Sequence, residues 1–136
     1  MDKALNYMAL ARKAGRIELG EEPVGAAARA QKARLVVVAE DASDHTWRRA
    51  KSFVAGTAQQ CIKVPFSKDL LGQAVGRTSL AIGAFTDPAL ALAFVKALPQ
   101  PDENVLACLE EKTRRIQKRQ AEEKAHRKNK RFGKKK

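Results

Sequence analysis

Apolar residues along this chain fall into two alternating rhythms, and the alternation predicts the fold. Leu5, Met8 and Ala9 recur at helical spacing, Arg12 and Lys13 follow in a last turn where the helix dipole favours cations, and Gly15 ends the run. Arg16 to Leu19 alternates as a short strand does. Gly20-Glu21-Glu22-Pro23 then reads as a loop opening a second helix, with Pro23 at its first position and carboxylates at its positive end. Leu35 to Ala39 is continuously apolar, the signature of a strand covered on both faces. Ser43 or Asp44 caps a helix with Trp47, Ala50 and Val54 on one side, and Cys61 to Val64 is another strand. Ser67 caps a short helix through Leu70, Leu71 and Val75 that stops at Gly76, and Leu80 to Phe85 is the fourth strand. Asp87-Pro88 opens a helix with Leu90, Phe94, Val95 and Leu98 as its apolar stripe. Strands separated by helices define the α/β class. The expected architecture is a three-layer α-β-α sandwich on a four-stranded, mixed and mostly parallel sheet, with a basic helical extension at the C-terminus.

Pro99-Gln100-Pro101 interrupts this pattern, which divides the chain into a body, residues 1–98, and a linker with a basic helix or tail, residues 99–136. Beyond the break Asn104 can cap a helix with Leu106, Leu109 and Ile116 in its stripe, supported by Glu-Arg pairs four residues apart at 110/114, 111/115 and 123/127. The stripe fades after Ile116, and the segment from Arg127 to Lys136 is expected to be disordered in isolation.

Charge sharpens that division. The 136 residues carry a formal net charge of +12. Residues 112–136 hold 13 Lys and Arg against two acids, a net of +11, so the first 111 residues are nearly neutral. A polyanionic partner, nucleic acid before others, follows from the tail rather than from the body. At 44% hydrophobic residues the chain can build one aliphatic core, which excludes full disorder. Cys61 and Cys108 stand far apart, giving neither a disulfide framework nor a zinc set, as fits a reducing compartment. The first residues lack a signal peptide's apolar stretch, and Asp87, Pro88 and Lys96 break the best candidate membrane span. A cytoplasmic protein with no membrane partner is expected.

The search for chemistry is short. No dinucleotide or phosphate-loop glycine motif and no nucleophile elbow occurs. His45 beside Asp44, with Asp41 nearby, can be drawn as a proton relay or metal site, but a solvated histidine in a helix's first turn explains it more simply. Cys61 reads as a small apolar strand residue, and Glu40-Asp41 as loop acidity that caps the next helix. No catalytic residue, metal or cofactor is assigned. The binding features are stronger: Gly20 and Gly76 permit close backbone approach, Gly76-Arg77-Thr78-Ser79 is small, polar and basic, and Arg29, Lys32 and Arg34 flank the second helix.

A set of short runs carries a family resemblance: Leu10-Ala11-Arg12-Lys13-Ala14-Gly15-Arg16, Gly20-Glu21-Glu22, Leu35 through Ala42, Leu70-Leu71-Gly72-Gln73-Ala74-Val75-Gly76, and Leu80-Ala81-Ile82. In this order and spacing, across residues 3–98, the chain resembles the ribosomal protein family of the L-seven-Ae and L-thirty-e type, in its small bacterial YlxQ-type branch. The resemblance implies an α-β-α sandwich without catalysis that binds RNA, kink-turn RNA in its well-known members, through the loop before the second helix and the loop before the last strand. Those members read Gly-x-Asn-Glu-x-x-Lys in the first loop. Here the positions are Gly20, Glu21, Glu22, Pro23, Val24, Gly25 and Ala26, and only the glycine matches. Glu22 can accept but not donate to guanine O6 and N7, and Ala26 offers nothing.

The resemblance implies a non-enzymatic, ribosomal-type RNA-binding protein, associated with ribosomal or other structured RNA. Its expected RNA contacts are Gly20, Glu21, Glu22, Arg29, Lys32, Ser43, Gly76, Arg77, Thr78 and Ser79 in the body. Arg114, Arg115, Lys118, Arg119, Arg127, Lys128, Lys130 and Arg131 supply the phosphate contacts of the tail. The near-neutral body also admits a second reading, a protein-interaction module tethered by its tail to ribosome or nucleoid.

Overall fold

The computed structural model describes residues 2–133, with side chains as far as His126. The elements follow the predicted order: α1 (Lys3–Lys13), β1 (Ile17–Leu19), α2 (Glu21–Arg29), β2 (Leu35–Val38), α3 (Asp44–Val54), β3 (Gln60–Lys63), α4 (Lys68–Ala74), β4 (Ile82–Phe85), α5 (Pro88–Lys96) and α6 (Glu103–Gly133). Caps fix most boundaries. Asp2, Ser43, Ser67 and Asp87 each accept a hydrogen bond from a first-turn amide of the helix that follows. The strands begin within two residues of their expected starts, β4 at Ile82 rather than Leu80, and two helix starts differ from the sequence expectation. α2 begins at Glu21 with Gly20 as its N-cap, so Pro23 sits third, still within the first turn where a missing N–H costs nothing. α6 begins before Asn104, because Asp102 rather than Asn104 takes the Val105 amide, at 3.0 Å.

The sheet order is β1-β4-β2-β3. It is mixed, as expected, but not mostly parallel. Only β2 and β3 pair in parallel, whereas β4 runs antiparallel to both its neighbours. Three strands do point the same way, and β4 is inserted against them in the middle. A continuously apolar strand requires two covered faces, whichever way its neighbours run, so its sequence does not encode that insertion.

Alternation along the strands sends side chains into two cores. Leu35, Val37 and Phe85 face the layer of α1, α4 and α5, where the rings of Phe85 and Phe94 lie 5.1 Å apart. Val36, Val38, Ile82 and Ala84 face α2 and α3. Val105 and Leu109 of α6 are buried in the first of these cores, so the C-terminal helix starts as part of the folded body. From Arg114 onward nearly all its described side chains are exposed. The segment 127–133, expected to be disordered in isolation, continues this helix: no proline interrupts it, and four of its seven residues are Lys or Arg, which are good helix formers. Residues 134–136 of that expectation lie outside the described residues.

Candidate nucleic-acid interface

The strand directions gather most of the predicted site residues at one end. β1, β2 and β3 finish there and β4 begins there, as the register pairs Leu19 with Gly83 and Val38 with both Ile82 and Lys63. Short backbone bonds tie the loops together: Gly20 N–H donates to the Ile82 carbonyl, Ala39 to Ala81, and Leu80 to Lys68, all at 2.9–3.0 Å. This loop end therefore holds Gly20, Glu21, Glu22, Ser43 and the run Gly76 to Ser79.

Gly20 has φ +97°, which only glycine adopts without strain, and the space beside its Cα is shared with Arg77. A β-carbon there would stand 3.9 Å from the Arg77 Nη1. The two loops singled out in the sequence thus meet through a guanidinium lying beside the α2 N-terminus. Arg77, Thr78 and Ser79 are all exposed. Their backbone is pressed onto α4 at Gly72, where a β-carbon would come within 2.7 Å of the Ser79 nitrogen and 2.8 Å of the Arg77 oxygen. The Arg77 amide donates to the Gly72 carbonyl at 2.8 Å. Gly72 thus sets the position of the loop, and the sequence hint was a glycine inside a helical run.

Two of the acidic residues at this end, Glu21 and Asp41, are occupied. Glu21 forms an ion pair with Arg49 of α3, whose guanidinium also lies 5.3 Å from the Phe53 ring centre. Asp41 accepts from the Lys68 amide at 2.8 Å and so caps α4, and Ser43 accepts from Thr46 at 3.2 Å. Glu22 stays exposed. Beside these loops an open groove of about 650 Å³ runs between Trp47 of α3, β3 and the Pro99–Asp102 linker. Trp47 is half-buried at the edge of the second core, and the ammonium groups of Lys51 and Lys63 sit 5.3 and 5.2 Å from its ring. Arg49, Lys51 and Lys63 were missed in the sequence. Arg49 meets Glu21 only where α3 packs beside α2, and Lys63 meets Trp47 only where α3 lies on β3. The four-residue spacing of Trp47 and Lys51 on α3 was the one local signal. Cys61 lines the same groove; burial pushes its thiol up to about 12, only partly offset by Lys51, so it stays protonated at neutral pH.

Arg29 and Lys32 are not brought to the loop end. Arg29 ends the last turn of α2 and Lys32 follows it; the helix spans nine residues, roughly 13 Å, and ends at the opposite end of the sheet. The tail residues Arg114, Arg115, Lys118 and Arg119 are exposed on α6, with Glu111 pairing to the first two at 3.2 and 3.0 Å. The side chains of Arg127, Lys128, Lys130 and Arg131 lie outside the described residues. Among the described residues no group of His, Cys, Asp and Glu is arranged to hold a metal, and no helix is long and apolar enough to cross a membrane.

A three-layer sandwich on a mixed four-stranded sheet, with two loops meeting at Gly20, the N-cap of α2, defines a small α/β class of protein. The chain belongs to the ribosomal protein L7Ae/L30e/S12e/Gadd45 family, whose model matches residues 2–91. A relative described as the RNA-binding protein YlxQ, from Enterococcus faecium, is 35% identical over 81 residues, covering 60% of this chain and 78% of its own. Two solved structures share the fold. A protein of unknown function from Bacillus halodurans has a TM-score of 0.68 at 22% identity, covering 74% of this chain and 100% of its own. The Giardia lamblia 15.5kD RNA binding protein has 0.61 at 18%, covering 76% and 87%. The family match ends before α6 begins.

Proposed function

We propose that this protein is a non-enzymatic, cytoplasmic RNA-binding protein that docks structured RNA, ribosomal RNA first, with the loops around Gly20 and Arg77 and adds phosphate contacts through α6. The observation that carries this reading is the meeting of Arg77 with Gly20 at the loop end, in a chain whose relative is named for RNA binding. Glycine at that position lets an RNA backbone approach, while Arg77, Thr78 and Ser79 offer donors to bases and phosphates. Without Asn and Lys in the first loop, docking rests on shape and on the second loop, and kink-turn RNA is bound no better than other structured RNA. We place the boundary of the body near Thr113, where α6 leaves the core, rather than at residue 98.

The test is binding of the full chain to purified ribosomal RNA, to a kink-turn hairpin and to a plain duplex. We expect ribosomal RNA to bind most tightly, the kink-turn to show no advantage over other structured hairpins, and Arg77→Gln to weaken the complex several-fold. Absence of binding to all three RNAs at low salt sinks the reading. The carboxylates at the loop end favour the rival, a protein-interaction module. A stable protein complex that forms after nuclease treatment and is lost with Arg77→Gln decides for that rival.

A further inference from the structure

The nearly neutral charge of the body conceals a separation of charge along the sheet. α1, α2, α3 and α6 all start at the loop end and run toward the other, so residues that suit a helix N-terminus collect at one end and cations at the other. Glu21 and Glu22 begin α2, Asp44 begins α3, and Glu103 begins α6, while Glu40 and Asp41 occupy the loop between β2 and α3. At the far end, Arg12 and Lys13 close α1 and Arg29 closes α2. Arg16 and Arg34 precede β1 and β2 and are tied together there, for the Thr86 amide donates to the Arg16 carbonyl and the Arg34 amide to Phe85. Lys32 lies in the turn before Arg34. None of these cations is ion-paired among the described residues. α5 runs the other way, bringing its cap Asp87 to this end and Lys96 to the loop end, where Lys63, Lys68 and Arg77 offset part of the acidic charge.

α6 continues the basic end. Its Lys112 reaches the carbonyl of Ala58, in the loop before β3, at 2.6 Å. The helix therefore passes from the loop end to the basic end within its first ten residues and projects its exposed arginines and lysines beyond it. Burial and the neighbouring Arg34 hold the Lys112 ammonium below its ordinary range, and the Arg34 Nε is buried with no hydrogen-bond partner. An anion brought to this junction relieves that repulsion.

We infer that the basic end of the sheet, around Arg16, Arg29 and Lys32 and continued by α6, is a phosphate-backbone surface for RNA, separate from the loop end. This rests on the RNA-binding reading above, and it assigns the phosphate grip to the face opposite the two loops. Four-residue strands place roughly 13 Å, plus the turns, between the two ends. The carboxylates of the loop end repel the phosphates that the basic end attracts. One RNA that fills both ends must wrap around the body, or two segments are held together.

The experiment compares the full chain with the triple variant Arg16→Gln, Arg29→Gln, Lys32→Gln, and with Arg77→Gln, binding purified ribosomal RNA across a salt series. All four positions are exposed, so melting temperatures check that folding is unchanged. Arg12→Gln with Lys13→Gln, on a different helix, gives a second measure. We expect the triple variant to lose about 2–3 in the slope of log affinity against log salt, close to one per phosphate contact removed, and Arg77→Gln to lose at most about one. A triple variant that keeps the wild-type slope while Arg77→Gln weakens binding overturns the basic-end surface and leaves the RNA reading standing. A full chain that binds no RNA at low salt removes both.

Discussion

Gly72 has no side chain, yet it places the Arg77–Ser79 loop. In Gly72→Ala the new methyl meets backbone atoms that cannot swing aside. We expect a loss of about 1–3 kcal/mol in denaturant unfolding and a displaced loop, read as weaker RNA binding. Among the described residues Gln59 is the one buried polar residue, 6% exposed. It accepts from the Ala33 amide at 2.9 Å and donates to the Ala28 carbonyl at 3.2 Å, tying the end of α2 to the start of β3. Gln59→Ala strands both backbone groups and is expected to cost about 1–3 kcal/mol, measured by urea titration. Cys61, with its thiol pushed up to about 12, is expected to resist alkylation at pH 8 in the folded protein. Rapid modification followed by mass mapping of the peptide contradicts that.

At the scale of elements, α6 has two parts with different roles. Val105 and Leu109 seal α5, so a chain ending at Leu98 exposes an apolar face. We expect such a truncation to lose about 1.5–3 kcal/mol for each buried side chain removed, whereas one ending at Ile116 unfolds at nearly the full-length urea midpoint. Equal midpoints for the two truncations contradict the buried role of α6. Caps and helix ends were legible in the sequence because each depends on a few adjacent residues: Ser43, Ser67 and Asp87 cap where they were expected to. The division at Pro99 was legible only as a break in the pattern. That the chain turns back and packs on α5 depends on Val105 and Leu109 meeting a distant surface.

For the whole molecule, the tail charge governs salt dependence. If six cations of α6 contact phosphates, affinity falls by about a thousandfold between 50 and 200 mM salt. We expect the truncation at Ile116 to show a markedly shallower slope than the full chain, measured by filter binding. An unchanged slope contradicts phosphate contacts by the tail. The pieces of the candidate site were legible in the same uneven way. Gly20 and the Gly76–Ser79 run were visible as turn chemistry, and the structure brings them together. Arg29 and Lys32 were grouped with them, and the structure carries them to the far end. Nothing in the local sequence of α2 says which residues stand opposite its last turn.

The sequence by itself determined the order of helices and strands, most of their ends, the two-sided burial of β2 and the concentration of charge after residue 111. Each of these is written in neighbouring residues, through periodicity, caps and net charge. Only the tertiary structure decided that β4 enters the sheet against its neighbours, that Trp47 stays half-exposed between two lysines, and that α6 begins inside the core. It also decided that the near-neutral body is acidic at one end and basic at the other. The physical reason is common to all four: each depends on contacts between residues far apart in the chain, whose pairing is chosen by the packing of the whole.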